Sequence, residues 1–457
     1  MSETVLLGSL AMAQWGFVWW RAVKRPIGWI GPTSLFSLGM LILYVVPAVY
    51  WQFRPWPYPY LPYESGLPLV MIGASVMGIP FFLYALHSAR KKSKASLSFQ
   101  GAGGLSVPSL WISLIPALLG IAYRIYLFTL GFQGRNTREV DTVFGSETLA
   151  LLLYNITFYF PIFYYMLIAF GGRLQKRFGY SIWVVDGIMQ IMTLHRWAIL
   201  MFLLRSSIFF VMIGWKFTRR WVLAVIAACV VTITVIGQAG LISREITDAV
   251  NTRYISPTEI LPLLADAASF YAGGEREEGF MASVMRTVDD TMDRLHMARS
   301  ASAVMEGTPE VIPYFYGGTF LHVFYAFIPR YLWAEKPDLR DVHLLTLLVI
   351  FGEAGVNPTG TIAELYVNYG FVAVFIGGLL CFFLCQWQEA LFMRGDQKAK
   401  YWVCVYPIVC VWVFWQDLNL SQRLAEGLRG ILIFWSVVLF LRLIRKSSSS
   451  GDDSVLK

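Results

Sequence analysis

The feature that most constrains this chain is the recurrence of apolar runs about as long as a bilayer is thick. A helix needs about 20 mainly apolar residues to cross the hydrocarbon core. Only helices and closed barrels can satisfy their backbone hydrogen bonds there. Qualifying stretches fall at roughly 4–20, 27–51, 67–88, 105–131, 148–171, 180–196, 197–215, 221–243, 361–388, 401–416 and 429–445. Hydrophobic residues make up 57% and charged residues 14%, against about 45–50% and 25% in soluble domains. The sequence therefore predicts an all-α polytopic integral membrane protein with about eleven transmembrane helices. The first run is read as a span, not a cleaved signal: only Met1, Ser2 and Glu3 precede it, and the positive charges follow it.

Basic residues orient the spans, because short Lys/Arg-rich loops stay in the cytoplasm. The clusters are Arg21/Lys24/Arg25, Arg90/Lys91/Lys92/Lys94, Arg173/Lys176/Arg177, Lys216/Arg219/Arg220, Arg394/Lys398/Lys400 and Arg442/Arg445/Lys446. With eleven spans all six share one side, which sets the N-terminus outside and the C-terminus inside. The expected division is 1–243 for spans one to eight, 244–360 for one large helical external loop, 361–445 for spans nine to eleven, and 446–457 for a disordered tail. The net charge of +8 is then topogenic, and no nucleic-acid partner is implied. On the external side Lys336 is the single lysine among arginines; arginine's planar fork pairs bidentately with phosphate. All five cysteines, Cys229, Cys381, Cys385, Cys404 and Cys410, fall in apolar runs, which implies neither disulfides nor metal.

The proline- and aromatic-rich segment 52–66 suits an interfacial anchor or a sugar-stacking surface. Arg124 lies near enough to the external end of its span to snorkel. Asp186 and Arg205 lie deeper, where charge is costly, so they either pair structurally or line a substrate groove. In the large loop, 279–305 reads as an amphipathic helix. It contains Asp289, Asp290 and Asp293 in a DDxxD pattern, which holds magnesium on a diphosphate in prenyl-transferring enzymes. Arg286 and Arg294 flank it and would neutralise it as an ion-paired face. No metal or other cofactor is assigned.

The densest motif region runs from Tyr314 to Gly378. It carries IPRYLWAEKP (Ile328 to Pro337), a polar connection with Asp338, Arg340, Asp341 and His343, and PTGTIAELYVNYG (Pro358 to Gly370). Together with Arg196 after a span and an R-x-x-x-D element (Arg286 to Asp290), this order resembles the Wzy-type oligosaccharide repeat-unit polymerases of O-antigen, exopolysaccharide and enterobacterial common antigen. The resemblance covers mainly residues 180 to 375. It implies an inverting, metal-independent, GT-C-like glycosyltransferase at the periplasmic face of the bacterial inner membrane. The implied substrate is undecaprenyl-diphosphate-linked oligosaccharide, with chain-length regulator and flippase partners. By position, Arg196 matches the family's arginine, Glu364 its helix-start carboxylate, and Trp333, Lys336 and Pro337 its W-x-x-K/R-P element.

The residues themselves suit that chemistry. Glycosyl transfer from a diphosphate needs a base for the attacking hydroxyl and fixed cations for the leaving group. Glu364 is the leading base, with Asp248, Asp341 and His343 as competitors. Arg196, Arg244, Arg286, Arg330, Lys336 and Arg423 are candidates for the diphosphate, and Trp333, Tyr366 and Asn368 for the sugar. Glu364 could equally complement the dipole of its own helix. An O-antigen-ligase-like transferase, a flippase or transporter of lipid-linked oligosaccharide, and a non-catalytic assembly factor are the alternatives.

Overall fold

A computed structural model of the chain describes residues 3–25, 28–53, 66–88, 113–129, 159–192, 196–215, 297–325, 359–393, 402–409 and 419–425, with isolated positions between 111 and 439 beside them. Every regular element among the described residues is helical. Three helices are long and apolar enough to cross a membrane: Pro32–Tyr50, Leu67–Ser88 and Gly360–Leu391. Glu3–Val23 and Arg173–Met192 are as long but less apolar. Shorter apolar helices span Leu114–Tyr126, Pro161–Phe170 and Ala198–Met212. These lengths are compatible with a membrane protein. The expected run at 221–243 lies almost wholly outside the described residues.

The chain divides into two compact units. The first comprises Met1–Ser98, Asp289–Ala399 and Val409–Arg429; the second comprises Phe99–Val288, Lys400–Ile408 and Gly430–Lys457.

In the first unit, α1 (Glu3–Val23), α2 (Pro32–Tyr50) and α3 (Leu67–Ser88) pack with the long C-terminal helix Gly360–Met393. Their shared core is aromatic. Phe36 and Phe81 stack with centroids 5.0 Å apart, Trp15 tilts against both at 5.8 and 5.4 Å, and Phe382 meets Phe81 edge-on at 5.5 Å. The Trp15 indole N–H donates to the Ala74 carbonyl at 3.0 Å, so even this large ring leaves no buried donor unmet. Gly378 lets the long helix approach α3, since a Cβ there would meet the Met77 carbonyl oxygen at 2.6 Å. The opposite stripe, Val372, Ile376, Leu380, Phe383 and Trp387, is exposed at helical spacing over four turns, which is the face a lipid solvent would cover.

Two irregularities shape this unit. In α2 a π turn at Leu41–Val45 precedes Pro47. A proline cannot donate to the carbonyl four residues back and would clash with it; the widened turn absorbs this and buries Tyr44. The second is α4, Met297–Gly307. It lies in the stretch read as an amphipathic helix of the large loop and buries Met297, Ala298, Ala301, Ser302, Ala303, Val304 and Met305, packing on α3 and the long helix. A short helix α5, Gly318–Tyr325, follows, and the long helix is α6, Gly360–Met393.

In the second unit, Leu114–Thr129 (α7), Pro161–Phe170 (α8), Arg173–Met192 (α9) and Arg196–Met212 (α10) pack about one carboxylate. Asp186 is fully buried and accepts from the Tyr164 hydroxyl at 2.9 Å, the Gln190 amide at 3.0 Å, Arg205 at 3.2 Å, and Arg124. Asp186 and Arg205 thus pair, as one reading of the sequence had it. Arg124, expected to snorkel toward water, turns inward instead. A second guanidinium on a dehydrated carboxylate gains more there than at the interface, because the alternative is charge left without a partner.

Candidate functional site

The site is built on α6, a helix that breaks. It begins at Gly360, whose φ of 77° starts the turn into the helix. It runs regularly to Asn368, leaves helical geometry at Tyr369 (φ −154°, ψ 34°) and Gly370 (φ 61°, ψ −149°), then resumes. The Gly370 conformation is one that essentially only glycine adopts.

Glu364 lies one turn into the first segment and is 1% exposed. Protein on all sides covers it. Its Oε2 accepts from the backbone N–H of Ser421 at 3.0 Å. Ser421 lies in the first turn of the helical stretch 420–425, whose Arg423 N–H donates to the Asn419 carbonyl at 3.0 Å. The carboxylate therefore complements the start of a neighbouring helix, where N–H groups lack partners of their own. Asn419 also accepts from the Thr359 hydroxyl at 3.0 Å, fastening this helix start to the residue just before α6.

Among the described residues Arg423, wholly buried, is near enough to act electrostatically on Glu364, and the hydroxyls of Ser421 and Thr319 lie near the carboxyl group. The other oxygen, Oε1, makes no hydrogen bond among the described residues. A buried carboxylate oxygen left unbonded costs about 1–3 kcal/mol or more. Such atoms in native structures mark a functional demand or an absent partner.

Asn368, one turn on, joins three parts of the site. Its amide nitrogen donates to the Glu364 carbonyl at 2.7 Å and to the Thr319 hydroxyl at 2.8 Å, and its oxygen accepts from the Gly317 N–H at 2.7 Å. The residue is fully buried and these bonds occupy its amide, so it positions the site; sugar contact was the expected role. The turn it holds, 314–318, is also stitched to α6 by the Phe315 N–H donating to the Val367 carbonyl at 2.9 Å. Tyr316 in that turn has φ 49°, a left-handed conformation that costs a bulky residue about 1–2 kcal/mol.

Of the other residues singled out in the sequence, Tyr366 is half-buried and packs edge-on against Phe371 at 5.1 Å. Trp333 is half-buried against Tyr325, also at 5.1 Å. Arg196 begins α10 in the second unit; its side chain lies outside the described residues, as do Asp248, His343, Arg244, Arg286, Arg330 and Lys336. In the DDxxD pattern, Asp289 accepts from the Tyr50 hydroxyl, while Asp290 and Asp293 lie outside the described residues. Among the described residues no cluster of His, Cys, Asp and Glu could hold a metal ion. Thr319, Ser421, Tyr316 and Tyr369 escaped sequence reasoning. The Gly317-Gly318 pair signals a turn, but nothing local signals that it closes on α6.

No protein-family model matches this chain, and no solved structure matches it.

Proposed function

We propose that this chain is a membrane glycosyltransferase that joins undecaprenyl-diphosphate-linked oligosaccharide repeat units. In this reading it works in the GT-C manner at the periplasmic face of the bacterial inner membrane. It has about eleven spans, a periplasmic N-terminus and a cytoplasmic C-terminus. The observation that carries the reading is Glu364: buried, held through one oxygen by a helix-start N–H, with its other oxygen unbonded among the described residues.

A carboxylate so placed is suited to general-base work. The acceptor hydroxyl would sit against Oε1 and attack C1 of the donor sugar as its proton passes to Glu364. The C1–O bond to the lipid diphosphate breaks with inversion, and the diphosphate leaves with the electron pair. Positioned proton transfer contributes about 10²–10⁴-fold. Arg423 balances the carboxylate before transfer; afterwards its charge becomes available to the leaving diphosphate. The reading needs no metal.

The experiment is reconstitution of the purified chain with undecaprenyl-diphosphate oligosaccharide in the presence of EDTA. A ladder of lengthening glycans is expected. Transfer of finished glycan to a lipid A core with no ladder would identify a ligase, and movement across the bilayer without bond formation a transporter.

A further inference from the structure

At the end of α6 away from Glu364, four helix ends are fastened at one level. Arg25, just past α1, donates to the Glu389 carboxylate at 2.7 Å, and the Thr33 hydroxyl in the first turn of α2 donates to the same carboxylate at 2.5 Å. The Arg25 guanidinium also lies over the Tyr84 ring of α3, 4.7 Å from its centroid. Trp20, Trp29 and Trp387 each lie no more than five residues from Arg25, Thr33 or Glu389. They are 46%, 40% and 49% exposed, and are the exposed tryptophans among the described residues of the first unit. Tryptophans displayed at one level around a bundle mark the layer where lipid headgroups meet hydrocarbon.

We infer that the open side of this level is a binding site for an anionic glycerophospholipid, whose phosphate is held by Lys24 and Arg21 beside Trp20. The inference rests on the reading of these helices as membrane spans and not on the transfer chemistry. Helical phase carries it first. α1 buries Trp15, Val18 and Ala22, and leaves Leu6, Leu10, Ala13, Trp20 and Lys24 exposed along another stripe. That stripe is apolar until its last turn, so hydrocarbon covers its length and Lys24 emerges where the acyl chains end. Charge carries it next. Arg25 is neutralised by Glu389, whereas Lys24 and Arg21 form no ion pair with any described residue. Both meet the Trp20 ring instead, the Lys24 amine at 3.6 Å and the Arg21 guanidinium at 5.7 Å from its centroid. A ring face attracts cations but supplies no full countercharge. Two such cations at headgroup level suit a phosphate. A net negative headgroup is favoured over a zwitterionic one, whose own ammonium would oppose Lys24.

Site-specific quenching tests this with the full-length chain in nanodiscs. Ala13→Cys, made the sole cysteine and labelled with bimane, sets a fluorophore on the same stripe, about 10 Å from Trp20 at 1.5 Å per residue, at the depth of the acyl chains. The nanodiscs mix a little phosphatidylglycerol with excess phosphatidylcholine, and one lipid or the other carries brominated chains as the quencher. Beside the label, phosphatidylglycerol should be enriched about 25-fold over its bulk fraction, about fivefold for each basic side chain. Lys24→Gln and Arg21→Gln should each lower that enrichment about fivefold and together abolish it, whereas Lys24→Arg should keep it. Neither glutamine variant should lower the unfolding temperature, because neither breaks an ion pair among the described residues. Bulk composition beside the label in the parent, or enrichment that survives the double substitution, overturns the site. Failure of both brominated lipids to quench shows protein covering this face and overturns it too. Glu364→Gln should leave the enrichment untouched, so a chain that enriches the lipid but makes no glycan ladder loses only the transferase reading.

Discussion

Replacing Asp186 by asparagine tests the clearest energetic statement about the second unit. Asp186 is fully buried and takes hydrogen bonds from Arg124, Tyr164, Gln190 and Arg205, which come from α7, α8, α9 and α10. Asparagine keeps nearly the same volume but removes the charge and turns one acceptor into a donor facing other donors. Two guanidiniums then lose the carboxylate they share. Breaking a buried pair by removing one partner costs about 3–5 kcal/mol. With roughly 2–4 °C lost per kcal/mol in domains of 150–250 residues, the melting temperature should fall by on the order of 10 °C. Cys404 is buried in the same unit, so a variant with Cys404 as its only cysteine reports unfolding through a thiol-reactive dye. Adding Arg205→Gln to Asp186→Asn should recover part of the loss, because it removes one of the stranded cations. Melting of Asp186→Asn at the parent's temperature would refute the claim that this carboxylate ties four helices together.

Gly370→Ala should destabilise by about 1–3 kcal/mol, since its φ and ψ suit glycine alone, and should lower transfer activity as the break in α6 shifts. Asn368→Leu leaves the Gly317 N–H without its acceptor, at a cost of about 1–3 kcal/mol. It should free the 314–318 turn, seen as faster proteolysis near Tyr316. Gly378→Val cannot fit beside the Met77 carbonyl; reduced yield of folded protein in detergent checks it.

The long apolar helices were legible because the property a bilayer selects is written residue by residue. The run read at 67–88 forms Leu67–Ser88, and that at 27–51 contains Pro32–Tyr50. The last of the three, read at 361–388, forms Gly360–Met393, but its break was not visible: a single Gly370 within an apolar run looks like any helical glycine. Asp186 could be read as needing a partner, and Arg205 was near in sequence. Arg124, 62 residues away, could not be matched, because that contact depends on how helices pack. Glu364 was legible as the interesting acid. Its burial was not, because the covering residues, Thr319 and Ser421, arrive from stretches far along the chain.

The most direct test of the central claim is the glycan ladder made by purified Glu364→Gln in proteoliposomes supplied with undecaprenyl-diphosphate oligosaccharide. Glutamine keeps the size and the Ser421 hydrogen bond but cannot accept the acceptor's proton. The account predicts that the ladder disappears while the lipid-linked units remain intact and bound. A ladder of normal length from this variant would contradict it.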